Sequence, residues 1–326
     1  MIFLLIFAWP ALIFASIRIG IVSDSAYFGE REIGWRIKRA AENLGWEVFL
    51  DEQRGRLIQN MNDLDWTISL MTTSAPKPKC LNYMAIFHPF GLLDTENKID
   101  PSFESFDGYL LTIKPEIFEG AFRSEATKFF SIPFYPTVQP IPYKKVTLNN
   151  LAVILPCWGH RRRNLRYKTL HQLLSQSGFA RFYGPQDKEG IIRQGYVGQL
   201  PFDGSSIIKA LQSQGITLIL HSWHHRKKEI PSGRIFEAAA ASTVIISDEN
   251  PFVREHFGDS VYYIDVTLSP EEIFGQISDR MEEIFKNPEE ALAKAEEAHR
   301  IFTNHFQMTD QLIAIQEMHT KILSEK

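Results

Sequence analysis

Apolar positions along the chain fall into two alternating patterns. IRIGIVS (17–23) is a short, β-branched apolar run stopped by Asp24. Such a run predicts a buried strand. A polar loop, DSAYFGERE, follows. In IGWRIKRAAENLGW, Ile33, Ile37, Ala40 and Leu44 recur at helical spacing before Gly45. EVFLD then returns to strand character. Strand, helix and strand in this order predict a βαβ unit in a parallel sheet with a right-handed crossover. DWTISLM, MAIFHPF, DGYLLTI and KFFSIPF continue as strands. A second series starts at 151 with LAVILP, a helix over about 164–177, ARFYG and GYVGQLP. It continues with the helix SSIIKALQSQ, the strand ITLILHS, a helix from Arg234 to Ala241, TVIISD, the short helix NPFVREHF and VYYID. Long amphipathic helices close the chain.

Between the two series, residues 131–148 carry four prolines and little helical period. That composition predicts a linker. At 326 residues the chain is long for one core, so two domains are expected. The expected fold is α/β: two Rossmann-like, doubly wound domains facing a central cleft, with C-terminal helices. The boundaries read as an apolar segment at 1–16, a first domain at 17–135 and a Pro-rich linker at 136–148. A second domain follows at 149–305, then a last helix at 306–326.

Charge changes the picture little. A net charge of -4 argues against broad nucleic-acid binding. Two cysteines, Cys80 and Cys157, provide neither a disulfide framework nor a CxxC metal pattern, which fits a reducing cytoplasm. The start, MIFLLIFAWPALIFAS, has no charge and contains Pro10. It is short for a spanning helix and has no basic region of the kind a signal peptide carries. The favoured reading is a membrane-contacting or short anchoring segment; a signal peptide and an over-long start are the alternatives. The first strand's loop lacks GxGxxG, which argues against a dehydrogenase.

Chemistry is expected beyond the carboxyl ends of the strands. Two loops there are rich in cations. One carries Gly159, His160, Arg161, Arg162 and Arg163, with Arg166 and Lys168 opening the next helix. Guanidinium groups grip phosphate oxygens in a fork, and helix starts offer free N–H groups. The bland alternative is a solvated basic face. The other loop runs from His224 through Lys228 to Glu229, then Pro231, Ser232, Gly233 and Arg234. Glu237 lies a turn further in. It either complements the helix dipole or accepts bonds from a ribose diol.

From about 151 to 310 the chain resembles the donor domain of group-1-type glycosyltransferases of the GT-B fold, most closely the spore-maturation-protein type. The residues that carry this are SGRIFEAAAASTVIISDENPFVREHFGDSVYYID, with Glu229 and Glu237 separated by seven residues. The resemblance implies a glycosyltransferase using a UDP- or GDP-sugar, with no metal and no other cofactor. It implies that Glu237 binds ribose, that Glu229 is a candidate donor-sugar ligand, that Ser232, Gly233 and Arg234 meet phosphates or sugar, and that Gly159, Arg161 and Lys168 grip the diphosphate. The nucleobase is then expected near Val197, Gly198 and Leu200. Two departures stand out. Ser242 replaces the family's usual Gly, and Glu229 is followed by Ile-Pro. On the acceptor side, Asp24, Tyr27, Gly29 and Glu30 line the first strand's exit, and His88 is the candidate base. The acceptor is expected to be a glycan, lipid-linked glycan or protein, with no nucleic-acid partner. The expected location is the cytoplasm, at the inner face of the membrane. Alternatives on the same fold are a nucleotide-sugar epimerase and a non-catalytic binding or assembly protein.

Overall fold

The computed structural model describes residues 16–71, 77, 79–87, 105–112, 129–155, 165–185, 191–227 and 229–325. Strand β1 (Arg18–Val22) is the IRIGIVS run, and Ile19 and Ile21 are fully buried. It pairs in parallel with β2 (Glu47–Asp51) and β3 (Trp66–Ser69). Helices cover both faces of such a sheet, so its central strands read as unbroken apolar runs. Helix α1 (Phe28–Asn43) makes the first crossover, and Gly45 at φ 77 turns the chain out of it. With β4 (Leu81–Ile86), β5 (Gly108–Leu111) and β6 (Phe129–Pro133) the order is β2-β1-β3-β4-β5-β6.

The second sheet contains β7 (Asn150–Ile154), β8 (Ala180–Tyr183), β9 (Tyr196–Gly198), β10 (Gly215–Ile219), β11 (Val244–Asp248) and β12 (Val261–Ile264). All its pairings are parallel, in the order β12-β11-β10-β7-β8-β9. Its helices are α2 (Leu165–Gln176), α3 (Ser206–Gln214), α4 (Trp223–Lys227), α5 (Gly233–Ala240) and α6 (Pro251–Phe257). The chain steps from β7 to β8 and β9, then returns to β10 on the other side. The direction of winding therefore reverses between β7 and β10, where open α/β sheets form their ligand crevice. Two doubly wound parallel sheets are the expected fold class.

Three helices complete the chain: α7 (Pro270–Lys286), α8 (Pro288–His305) and α9 (Met308–Ser324). A reciprocal box of Ser269 and Glu272 starts α7. Helix α9 crosses back to the first sheet. Met308, Leu312 and Ile315 are fully buried in the same core as Ile19, Trp66 and Tyr83. Trp66 Nε1 donates to Gln316 at 2.8 Å, and Tyr83 Oη meets His319 Nδ1 at 2.8 Å. The linker runs beside this return. Thr137 Oγ1 donates to the Phe306 carbonyl at 2.6 Å, and Met308 N donates to the Val138 carbonyl at 2.9 Å. The chain thus passes between the two sheets at two adjacent places.

The alanine run is core. Ala238 to Ala241 are fully buried, and the small side chains let α5 and α8 approach. Ser242, the residue that departs from Gly, adopts φ 57, the left-handed region that favours glycine. The turn is nonetheless held. Ser242 is buried, accepts from Lys144 N at 3.4 Å and meets His299 Nδ1 at 3.2 Å.

Candidate functional site

A buried polar node lies at the carboxyl ends of β10 and β11, and β10 is one of the two strands at the reversal of winding. His221 follows β10 and Asp248 ends β11, and both are fully buried. Asp248 Oδ1 accepts from His221 N at 2.7 Å and meets His221 Nδ1 at 2.8 Å. Its Oδ2 accepts from Arg226 at 3.1 Å. This node ties α4 to the sheet edge. His221 Nε2 has no partner among the described residues. Beyond the node, Ser232 caps α5, accepting from Arg234 N at 3.4 Å. Gly233 begins the helix against the linker. A Cβ there would lie 3.0 Å from the Pro136 carbonyl, a close backbone approach that favours glycine.

Glu237 is 2% exposed. Arg234 Nη1 donates to its Oε1 at 2.9 Å and its Oε2 at 2.6 Å. Arg36, from the middle of α1, donates to the same Oε1. Burial opposes ionisation of Glu237, but the charges and hydrogen bonds of Arg234 and Arg36 outweigh it and hold its pKa below the usual value. Arg36 is itself 2% exposed and donates from Nε and Nη2 to Glu32 Oε1 at 3.2 and 3.0 Å. Glu32 Oε2 accepts from Gly204 N at 3.0 Å. The cluster of two carboxylates and two guanidiniums therefore joins the two sheets' units.

The loop before α3 completes this contact. Gly204, at φ 76, brings its backbone against α1, where a Cβ would meet Arg36 N at 3.1 Å. Phe202 stacks on Phe28 at 4.7 Å, and Arg39 Nε donates to the Asp203 carbonyl at 2.8 Å. The Asp203 carboxylate organises the loop, accepting from Ser205 N at 2.9 Å and Ser206 N at 2.8 Å. Partial burial opposes its ionisation. Its bonds to Ser206 and Ser205 prevail and bring the pKa down to about 2. A carboxylate depressed in the folded state stabilises the fold above its unfolded pKa. That contribution should fade as the pH falls from about 4 to about 2. Asp203→Ala should flatten the acid limb of stability in that window, read by circular dichroism. An unchanged limb would refute the assignment.

The expected site residues are distributed as follows. Ser232, Gly233, Arg234 and Glu237 share the start of α5. Glu229 does not join them at the carboxylate cluster. It is exposed, in a turn at φ 57. Lys168 lies in the first turns of α2. Arg166 beside it donates from Nη2 to the carbonyls of Val266 and Leu268. Val197 and Gly198 lie on edge strand β9, with Val197 55% exposed, and Leu200 packs partly onto the second domain's core. At the β1 exit, the bond from Ala26 N at 2.8 Å and then the pairing with Arg54 hold the pKa of Asp24 below the usual value. Tyr27 precedes α1 and Gly29 lies in its first turn. Burial pushes Glu30 up, its own N–H offsets part of this and Asp24 adds to it. Glu30 Oε2 has no partner among the described residues. His88, Gly159, Arg161 and the apolar start to residue 15 lie outside the described residues. Among the described residues no helix is long and apolar enough to cross a membrane.

Arg36, Glu32, His221 and Asp248 were not among the residues expected from sequence. His221 and Asp248 had a signal, since each is a polar residue closing an apolar strand. Arg36 and Glu32 had none beyond their i, i+4 spacing.

Residues 161–317 match the model of a family described as glycosyl transferase-like. A search of curated proteins gives no match. Among solved structures, TarM aligns with a TM-score of 0.51 at 13% identity. That alignment covers 78% of this chain and 54% of TarM, so the chain spans about half the length of that protein. Sucrose-phosphate synthase from Thermosynechococcus elongatus aligns with a TM-score of 0.58 at 9% identity, covering 95% of this chain and all of that one. An alpha-glucosyltransferase in complex with UDP and a mismatched DNA aligns with a TM-score of 0.60 at 11% identity, covering 94% and 100%. At these identities the structural likeness speaks for the fold. The chain has the GT-B fold, and residues 161–317 are similar to the glycosyl transferase-like family.

Proposed function

We propose that the protein is a glycosyltransferase that moves a sugar from a nucleoside-diphosphate sugar to a glycan, lipid-linked glycan or protein acceptor. The observation that carries this reading is the family match over residues 161–317, a span that includes the Ser232-capped start of α5 and Glu237. In this reading Glu237 accepts from the ribose hydroxyls. Ser232, Gly233 and Arg234 face the phosphates or sugar, with Gly159, Arg161 and Lys168 completing the diphosphate grip. Val197, Gly198 and Leu200 border the base. Fixed cations and helix N–H groups then stabilise the departing diphosphate without a metal. The similar alpha-glucosyltransferase was solved with UDP, which favours a uridine donor. On the first domain, Asp24, Tyr27, Gly29 and Glu30 border the acceptor, and His88 takes its proton in an inverting reaction. The apolar start lies against the inner membrane face, near a lipid-linked acceptor.

Calorimetry with UDP, GDP, ADP, CMP and NAD tests the donor class. One nucleoside diphosphate should bind, and Glu237→Gln should weaken it at least about tenfold, the loss of one charge-assisted hydrogen bond. Transfer from the matching sugar nucleotide to acceptor separates a transferase from an epimerase, which forms product from donor alone. Nucleotide binding without turnover on any acceptor would instead identify a binding protein.

A further inference from the structure

The charge cluster between the domains consists of two halves, each complete in itself. On α1, Glu32 Oε1 accepts both bonds from Arg36, at 3.2 and 3.0 Å. On α5, Arg234 spans both oxygens of Glu237, at 2.9 and 2.6 Å. The bonds that cross are those from Arg36 to Glu237, from Gly204 N to Glu32 at 3.0 Å and from Arg39 to the Asp203 carbonyl at 2.8 Å. Splitting a buried ion pair is usually costly because it strands a charge. Here separation strands none. Arg36 leaves with Glu32, and Glu237 stays with Arg234. The contact is strong when closed, yet it can part without an unpaired buried ion on either side.

Closed, it leaves Glu237 little to offer. Its Oε1 carries donors from both arginines, and the side chain is 3% exposed. A ribose diol needs two free directions on that carboxylate, and Arg36 fills one of them. Resting on the reading of Glu237 as the ribose ligand, we propose that Arg36 and the nucleotide ribose compete for Glu237. The docked arrangement is then a self-blocked state, and nucleotide binding is coupled to the parting of α1 from the Phe202–Gly204 loop. Apparent affinity is reduced by the fraction of molecules that are open. An open fraction of about one tenth makes release of the latch worth about tenfold in affinity.

The test uses the full chain as wild type, Arg36→Met, Gly204→Ala and Glu237→Gln. UDP and GDP binding are measured by calorimetry, dimensions by small-angle scattering and folding by thermal melts. Gly204→Ala pushes the loop off the α1 backbone while keeping all four charges, so it decides the matter if Arg36→Met fails to fold. The expected result is about tenfold tighter nucleotide binding in the two latch variants, and a larger radius of gyration for wild type saturated with nucleotide. Unchanged or weaker binding in both folded latch variants, with binding lost in Glu237→Gln, overturns the competition and leaves the ribose role standing. Wild-type affinity in Glu237→Gln removes the ribose role, and the competition with it. Binding by none of the four proteins overturns the proposal as well.

Discussion

Phe306→Ala should destabilise the protein by about 3–5 kcal/mol, the usual loss for a buried phenylalanine emptied to alanine. The ring is 4% exposed at the join of α8 and α9. It meets Phe236 at 5.2 Å, Tyr135 at 5.6 Å, Phe252 at 5.7 Å and Phe257 at 5.8 Å between centroids. These partners come from α5, α6 and the segment just after β6, so one side chain holds the place where the chain changes domain. Urea unfolding would read the loss. Phe306→Leu keeps most of the volume and should cost under about 1.5 kcal/mol. A similar small loss for Phe306→Ala would mean that the aromatic cluster does not hold the crossing.

Asp248→Ala should cost about 2–4 kcal/mol, because it leaves buried hydrogen-bond donors of His221 unsatisfied. His221 N and His221 Nδ1 lose their acceptor, and Arg226 loses its ion pair while keeping its bond to the His221 carbonyl at 2.7 Å. Asp248→Asn keeps one oxygen and most of the shape, so it should recover part of the loss. The two variants differ in a second respect. Without the node, the segment from His221 to Ser232 is no longer tied to β11, and nucleotide affinity should fall further in the alanine variant than in the asparagine one. Equal stability of Asp248→Ala and wild type would show that the node carries no load.

Much of this architecture was readable from residue pattern because burial leaves a periodic trace. IRIGIVS is unbroken because helices cover both faces of β1, and the run itself announced a strand. FEAAAAS likewise announced α5, whose alanines are core. The site was only half legible. Ser232 to Glu237 lie in one stretch, so their proximity is visible in the sequence itself. Arg36 comes from 201 residues away in sequence. Between Ile33 and Ile37 it reads as the polar face of an amphipathic helix, and a pattern cannot distinguish a face turned to water from one turned to another domain. His221 and Asp248 meet only because β10 and β11 are in register, Ile219 opposite Ser247. Helix α4 leaves no trace in the pattern, since its five residues are too few to display a period.

The return of α9 has a consequence for biosynthesis. The first sheet is finished by residue 133, yet its core includes Met308, Leu312 and Ile315. Everything between must be translated before those side chains leave the ribosome, which takes roughly 10–35 s at bacterial-to-eukaryotic elongation rates. For that interval the half-domain waits with an uncovered apolar face, while the second domain has all it needs to fold. The usual vectorial order is thereby reversed. The domain synthesised first is the one completed last, and a chain released early, short of residue 308, would expose that face for good.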